Sequence, residues 1–239
     1  MSSRSIFVFL RTKFLMMRAI PYINIHTHKS YSTKDIVAIV NISYVDKNCI
    51  LDNDLKYSIG LHPWDIDKIK LSNFNEELAS QAIKINAVAI GEIGLDKIIE
   101  TNFVKQEDIF ISQLNVARQL RKPVIIHCVR AFSDLIRIKK CNDTHTPWII
   151  HGYQKNIEIA ENLLQANCYL SFGKALLHNK RLQKVFQNIP EDKFFLETDD
   201  SDIKIEEIYS KAAMLRKRDI EEIKKQILKN YNTCFKNYE

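Results

Sequence analysis

PVIIHC (123–128) and PWIIHG (147–152) repeat one local design: a proline, a short apolar run, and a histidine where the run stops. Short runs that are apolar without alternation suit strands buried on both faces of a parallel sheet. Between them, residues 131–140 carry a helical pattern. Outward from this pair, strands are expected at 21–26, 36–42, 57–61, 86–91, 167–172 and 193–198, which with 123–127 and 147–151 make eight. Helices are expected at 74–84, 103–121, 131–140, 155–166, 174–188 and 204–235, the last broken near 216–219. In 103–121, Phe103, Phe110, Leu114, Ala117 and Leu120 recur at helical spacing. Eight strands joined mostly by helices favour an α/β TIM-type (β/α)₈ barrel over an open doubly wound sheet. The link from 43 to 56 is short and polar for a full helix, so the barrel is expected to be irregular there. A chain of 239 residues suits one such barrel, which typically takes about 250.

Residues 20–239 therefore read as a single domain, with no repeat, low-complexity tract or linker. Residues 1–19 are basic and apolar and fit no barrel element. They read as an N-terminal arm or a start assigned too early, with an organellar-type targeting segment as a third reading. FVFL is too short for the apolar core of a signal peptide, and no apolar run is long enough to cross a bilayer. The five cysteines are odd in number and contain no CxxC pair, which reads as reduced thiols in a cytoplasmic protein. The formal net charge is +6, but the basic residues are scattered, so a solvated surface explains them as readily as a polyanionic substrate.

Six potential metal ligands follow apolar runs: His26 and His28 in YINIHTH, Glu92 in AVAIGEIG, His127, His151, and Asp199 in FFLETD. In a barrel of parallel strands, the carboxyl ends converge on one face, where such enzymes carry out chemistry. His26 and His28 are two apart on an extended segment and so share a side. Glu92 lies between glycines that allow a sharp bend and close approach; a turn with Asp96 as a helix cap is the plainer reading. Asp199 can bind a metal or accept a proton from water, with Glu197 and Thr198 orienting it, or it can simply cap the next helix. Four imidazoles and two carboxylates suit one or two divalent ions such as magnesium, manganese or zinc. His62, in GLHPW, reads as a contact behind the ligands or to substrate, or as a turn histidine before Pro63. Arg130, Lys155 and Lys174 are candidate phosphate contacts or solvated charges. His145 and His178 receive no role.

Taken in order, HTH, GLHPW, AIGEIGLD, KPVIIHC, HGY and LETD resemble the TatD family of metal-dependent hydrolases, from about residue 22 onward. The resemblance implies an amidohydrolase-like TIM barrel with a binuclear site. Its members are divalent-metal-dependent deoxyribonucleases, several acting from the 3′ end. Carried over by position, it implies that His26, His28 and Asp199 hold one ion, that Glu92 bridges, and that His127 and His151 hold the second. From the residues themselves, Asp199 is also the expected catalytic proton acceptor, and His62 and Arg130 are the expected substrate contacts. This chain departs from the family pattern at Asn24, where Asp is usual, at Trp64, where His is common, and at Val129, where Arg is common. It also runs from Asp200 straight into a charged helix, and so looks like a short-form member.

The expected function is hydrolysis of a phosphodiester in DNA by metal-activated water. Alternatives are hydrolysis of small-molecule esters or amides, and a metal-binding barrel with little catalysis. DNA or another phosphodiester is the expected partner. No membrane and no obligate protein partner are indicated.

Overall fold

The apolar runs dictate an architecture in which every strand is covered on both faces. A computed structural model describes residues 19–30, 33–46, 51–52, 54–70, 72–142 and 146–235. Its strands are β1 (Tyr22–Thr27), β2 (Ile36–Ser43), β3 (Lys56–Gly60), β4 (Ala89–Asp96), β5 (Val124–Val129), β6 (Trp148–Ile150), β7 (Cys168–Phe172) and β8 (Phe194–Leu196). They form one eight-stranded sheet in chain order, every adjacent pair parallel. The sheet closes where β1 meets the chain just beyond β8: the Asp199 N–H donates to the His26 carbonyl and the His28 N–H to the Asp199 carbonyl, each at 3.1 Å. This is the expected TIM-type barrel. No helix lies in the described residues between β2 and β3.

Helices α1 (Phe74–Lys84), α2 (Phe103–Gln119), α3 (Phe132–Cys141), α4 (Ile157–Gln165), α5 (Ala175–His178), α6 (Lys180–Asn188), α7 (Ile205–Arg216) and α8 (Ile220–Phe235) pack outside it. Asparagine side chains start several of them by accepting backbone N–H groups that the first turn leaves unpaired. Asn102 accepts from Lys105 and Asn156 from Ile159, both at 3.2 Å. Between sheet and helices, Phe110 of α2 meets Trp148 of β6 edge-on at 5.6 Å, and both are fully buried.

Three expectations need correction. The single helix expected over 174–188 is two, because Asn179 leaves the helical region and its side chain caps α6 through Arg181 and Leu182. A 3₁₀ turn at Pro63–Lys68, begun by Pro63, lies where no element was expected. β4 does not stop at residue 91 but runs to Asp96, so Glu92 lies inside a strand rather than at its end. The register between β4 and β5 shifts between Ile90 and Ile93, an irregularity of the kind that re-aims side chains beside active sites. Gly94 makes the close approach to β5 possible: its φ is +152°, and an added Cβ would lie 1.9 Å from the His127 carbonyl oxygen. The break in 204–235 is where expected, with Lys217 in the left-handed region at φ 53°. Nearly all of the 1–19 arm, together with His145 and Cys49, lies outside the described residues.

Candidate metal centre

The carboxyl ends of the strands surround a cavity of about 470 Å³ whose lining includes His28, His62, Glu92, His127, His151 and Asp199. The buried His26 reaches the same cluster from below. Glu92, 5% exposed, is the centre of the arrangement. Its Oε2 lies 3.4 Å from His26 Nε2 and 3.5 Å from His28 Nε2. Its Oε1 lies 3.0 Å from His127 Nδ1, 2.7 Å from His151 Nε2 and 3.3 Å from His62 Nε2. Asp199 Oδ1 is 3.6 Å from His26 Nε2 and 3.5 Å from His28 Nε2. The six residues singled out in the sequence thus form one cluster, five of them lining the cavity and His26 buried beside it.

The local chain explains each placement. The seam that closes the barrel holds His26, His28 and Asp199 together, and Asp199 adopts a left-handed φ of 55° that lets its N–H and carbonyl both reach β1. Asp is among the residues that tolerate this region. The backbone N–H of Glu92 donates to Asn41 Oδ1 of β2 at 2.6 Å, pinning the irregular part of β4. Behind the histidines stand two carboxylates that the sequence did not assign to this task. Asp96 Oδ2 is 3.2 Å from His127 Nε2 and accepts the Trp64 indole N–H at 2.8 Å. Glu197 Oε1 is 3.5 Å from His151 Nδ1 and accepts the Gly152 N–H at 2.6 Å. Glu197 therefore backs His151 rather than orienting Asp199. Thr198 has its own partner: its N–H donates to Asn24 Oδ1 at 3.0 Å, and its hydroxyl accepts from Asn24 Nδ2 at 2.8 Å.

His62 differs from the other imidazoles. Its Nδ1 accepts the Trp64 backbone N–H at 3.2 Å. A backbone N–H can only donate, so Nδ1 is bare and the neutral ring carries its proton on Nε2, the atom facing Glu92. Burial lowers the His62 pKa against the pull of Glu92, which keeps the ring neutral. His62 lies close enough to Glu92 and His127 to complete a ligand group, but its tautomer makes it a hydrogen-bond donor into the pocket.

The electrostatics match a cation site. Burial pushes the Glu92 carboxyl up, yet the surrounding His151, His127 and His26 outweigh burial and hold it well below the usual carboxylate range. Burial and His151 both push His26 down, but the Asp199 and Glu92 carboxylates prevail and raise it from 6.5 to about 9. Burial likewise opposes protonation of His151, and Glu92 with Glu197 lifts it well above its ordinary value. Protons are thus standing in for positive charge around a buried carboxylate. Both ring nitrogens of His26 are buried with no hydrogen-bond partner. The groups His26–His28–Glu92 and His26–His151–Asp199 each bring three ligand atoms within 4.8 Å of one another. Nitrogen and carboxylate oxygen donors so clustered fit a divalent ion of the zinc, manganese or magnesium type.

Arg130 lies outside this pocket. With φ 54° it turns away after β5 and lines a separate groove of about 820 Å³ between α3 and α4, along with Phe132, Lys140 and Lys155. Lys174 is paired with Asp200 at 3.3 Å, and His178 is exposed on α5.

Comparison with known proteins shows the family to which the chain belongs. The family model for TatD related DNases matches residues 25–236. An uncharacterized metal-dependent hydrolase of Buchnera aphidicola is 30% identical over 62% of this chain, and the match spans 59% of that relative's length. The uncharacterized metal-dependent hydrolase YjjV of Escherichia coli is 25% identical over 74% of this chain and 75% of its own. A third, from Methanocaldococcus jannaschii, is 26% identical over 92% of this chain and 99% of its own. The crystal structure of YjjV superposes with a TM-score of 0.77 at 21% identity, covering 91% of this chain and 99% of that one, and shares the fold. A TatD-family hydrolase from Entamoeba histolytica superposes with a TM-score of 0.75 at 16% identity, covering 91% and 98%. The chain belongs to the TatD-related DNase family of metal-dependent hydrolases.

Proposed function

We propose that this protein is a divalent-metal-dependent phosphodiesterase acting on DNA. The observation that carries the reading is the division of labour at Glu92: one carboxylate oxygen faces His26 and His28, the other faces His127 and His151. A carboxylate so placed would bridge two ions, with Asp199 completing the first set. Bound divalent ions polarise a phosphoryl oxygen and acidify attacking water. The chain's own groups do the rest. Asp199 is partly open to the pocket, and its carboxyl is held low despite burial by the adjacent His26. It is ionised at neutral pH and able to take a proton from the attacking water. His62 offers its Nε2–H to a substrate oxygen. Arg130 and Lys155, in the neighbouring groove, would meet phosphates further along a strand.

A second reading, hydrolysis of a small-molecule ester or amide, draws on the rim. Asp46, Asp65 and Asp200 line the pocket against the single Lys68, a poor welcome for a polyanion before ions bind. Elemental analysis of the purified protein, followed by assays on single-stranded DNA and on a panel of acyl substrates, separates the two. Metal-dependent cleavage of DNA is expected. Cleavage of acyl substrates alone would transfer the site to the second reading, and a protein that neither retains metal nor hydrolyses either class would end both.

A further inference from the structure

Trp64 stands at the mouth of the pocket and is 59% exposed. Among the described residues, the other exposed large apolar side chains are Leu51, Ile83, Ile98, Val104 and Met214, and none of them lines that pocket. Single exposed apolar residues are ordinary on protein surfaces, but this one is held in place. Its indole N–H donates to the buried Asp96 at 2.8 Å, and its backbone N–H donates to His62. Its ring stands edge-on to His62, centroids 5.0 Å apart at 86°, and 6.1 Å from His127. Pro63 restricts the backbone at the entry to the 3₁₀ turn that carries it. With its one polar atom already partnered, Trp64 presents only ring surface to solvent.

A fixed, open indole face beside carboxylates and imidazoles matches a particular chemistry. An aliphatic group would cover the ring but desolvate the polar wall of Ser43, Asp46 and Asp65 around it. A nucleobase has a flat face to stack on the indole and polar edges to meet that wall. We propose that Trp64 is a stacking platform that selects substrates carrying a nucleobase next to the phosphoryl group handled at Glu92. This rests on the phosphodiesterase reading above and adds to it the residue that distinguishes a nucleotide from a bare sugar phosphate.

The rival role is structural: Trp64 holds Asp96, and through it His127. The two roles separate by substitution, because Trp64→Phe keeps a stacking ring and loses the N–H, while Trp64→Ala loses both. Affinities of the full-length protein with added Mg²⁺ or Mn²⁺ are to be measured for 2′-deoxyadenosine 5′-monophosphate and for 2-deoxyribose 5-phosphate. The wild type should favour the nucleotide. Trp64→Ala should weaken nucleotide binding roughly tenfold or more, within the range base stacking gives on alanine substitution, and leave the sugar phosphate unchanged. Trp64→Phe should keep most of the preference. In the wild type the nucleotide alone should shield tryptophan fluorescence from acrylamide, since the chain's other tryptophan, Trp148, is fully buried. A preference that survives Trp64→Ala, or equal weakening of both ligands in both variants, would overturn the stacking role while leaving the phosphodiesterase reading intact. A wild type that binds neither ligand would overturn that reading, and this inference with it.

Discussion

His127 and His151 each have carboxylates facing both ring nitrogens, whereas the carboxylates near His26 and His28 all face one, Nε2. His127 lies between Glu92 and Asp96, and His151 between Glu92 and Glu197. The ion pairs of His26 with Glu92 and Asp199 both involve Nε2, and the side chain of His28 is 41% exposed. What positions this second pair is backbone: the bridge between Thr27 and Asp199 that closes the barrel. A carboxylate behind a ligating imidazole fixes the ring and raises its basicity. The deep half is therefore organised by side chains, and the seam half by main chain with its outer face open; on the proposed function, the first would retain an ion and the second would meet substrate. The comparison predicts that, under the proposed function, holding metal and performing hydrolysis separate between the two halves.

The largest test of that separation is Asp199→Asn, which keeps size and an oxygen donor but removes charge and basicity. Hydrolysis is expected to fall by roughly 10²–10⁴-fold, the usual worth of general-base assistance, while the ion at Glu92, His127 and His151 is retained. His127→Ala should lower metal content and rate together. Paired metal content and turnover for both variants make the measurement, and near-wild-type turnover in Asp199→Asn would remove it from the mechanism.

Next in size come the carboxylates behind the deep histidines. Glu197→Gln and Asp96→Asn should each cost roughly 10–100-fold in metal affinity or activity, as such outer partners commonly do. The loss should appear in the tighter of two binding phases in a metal titration. If the weaker phase changes instead, the assignment of deep and seam halves is reversed.

These two carboxylates also mark the boundary of what was legible in the sequence. Apolar runs ending in His or followed by a carboxylate revealed the strands and the six residues that converge, because both patterns are local. Asp96 meets His127 only because β4 continues past its glycines into register with β5, pairing Asp96 with Val129. Glu197 reaches Gly152 across β7 through a contact 45 residues apart. Asn41, which pins Glu92, lies 51 residues from it. Such contacts depend on strand register and bulge geometry, and no local periodicity carries that information. The 3₁₀ turn that fixes the His62 tautomer is hidden for a similar reason, since GLHPW shows locally only an apolar run that ends at a proline.

Chelation follows as a smaller, global effect. An ion bound only by the folded state at a hundredfold excess over Kd stabilises by about 2.7 kcal/mol, so its removal should lower Tm by about 5–10 °C in a chain of this size. The two states should also respond oppositely to pH. In the chelated protein the His26 pKa is raised from 6.5 to about 9. A raised histidine contributes stability that is fully present below the unfolded value and lost as pH climbs through the folded one. The chelated protein should therefore lose Tm between pH 6.5 and 9. The metal-bound protein, whose ligands must shed protons to bind, should gain affinity over the same window. Melts with and without chelator would contradict the proton-for-metal exchange if the chelated Tm stayed level.

The smallest effect isolates the seam itself. The Thr27 hydroxyl is buried, donates to the Asp199 carbonyl at 3.1 Å, and accepts from the Thr198 hydroxyl and the Lys29 N–H, each at 3.2 Å. Thr27→Val keeps the shape and removes these bonds. The Asp199 carbonyl still accepts the His28 N–H, Thr198 still pairs with Asn24, and Lys29, whose N–H loses its acceptor, is only half-buried, so no fully buried group is left without any partner. The cost should then be that of an ordinary hydrogen bond, about 1 kcal/mol, or about 2–4 °C in Tm. The deep half shares none of these bonds, so the tighter metal affinity should stay at the wild-type value while turnover falls modestly as Asp199 gains freedom. Loss of the tighter ion in Thr27→Val would show that the halves are mechanically coupled through Glu92, and that the seam positions the deep ligands as well as its own.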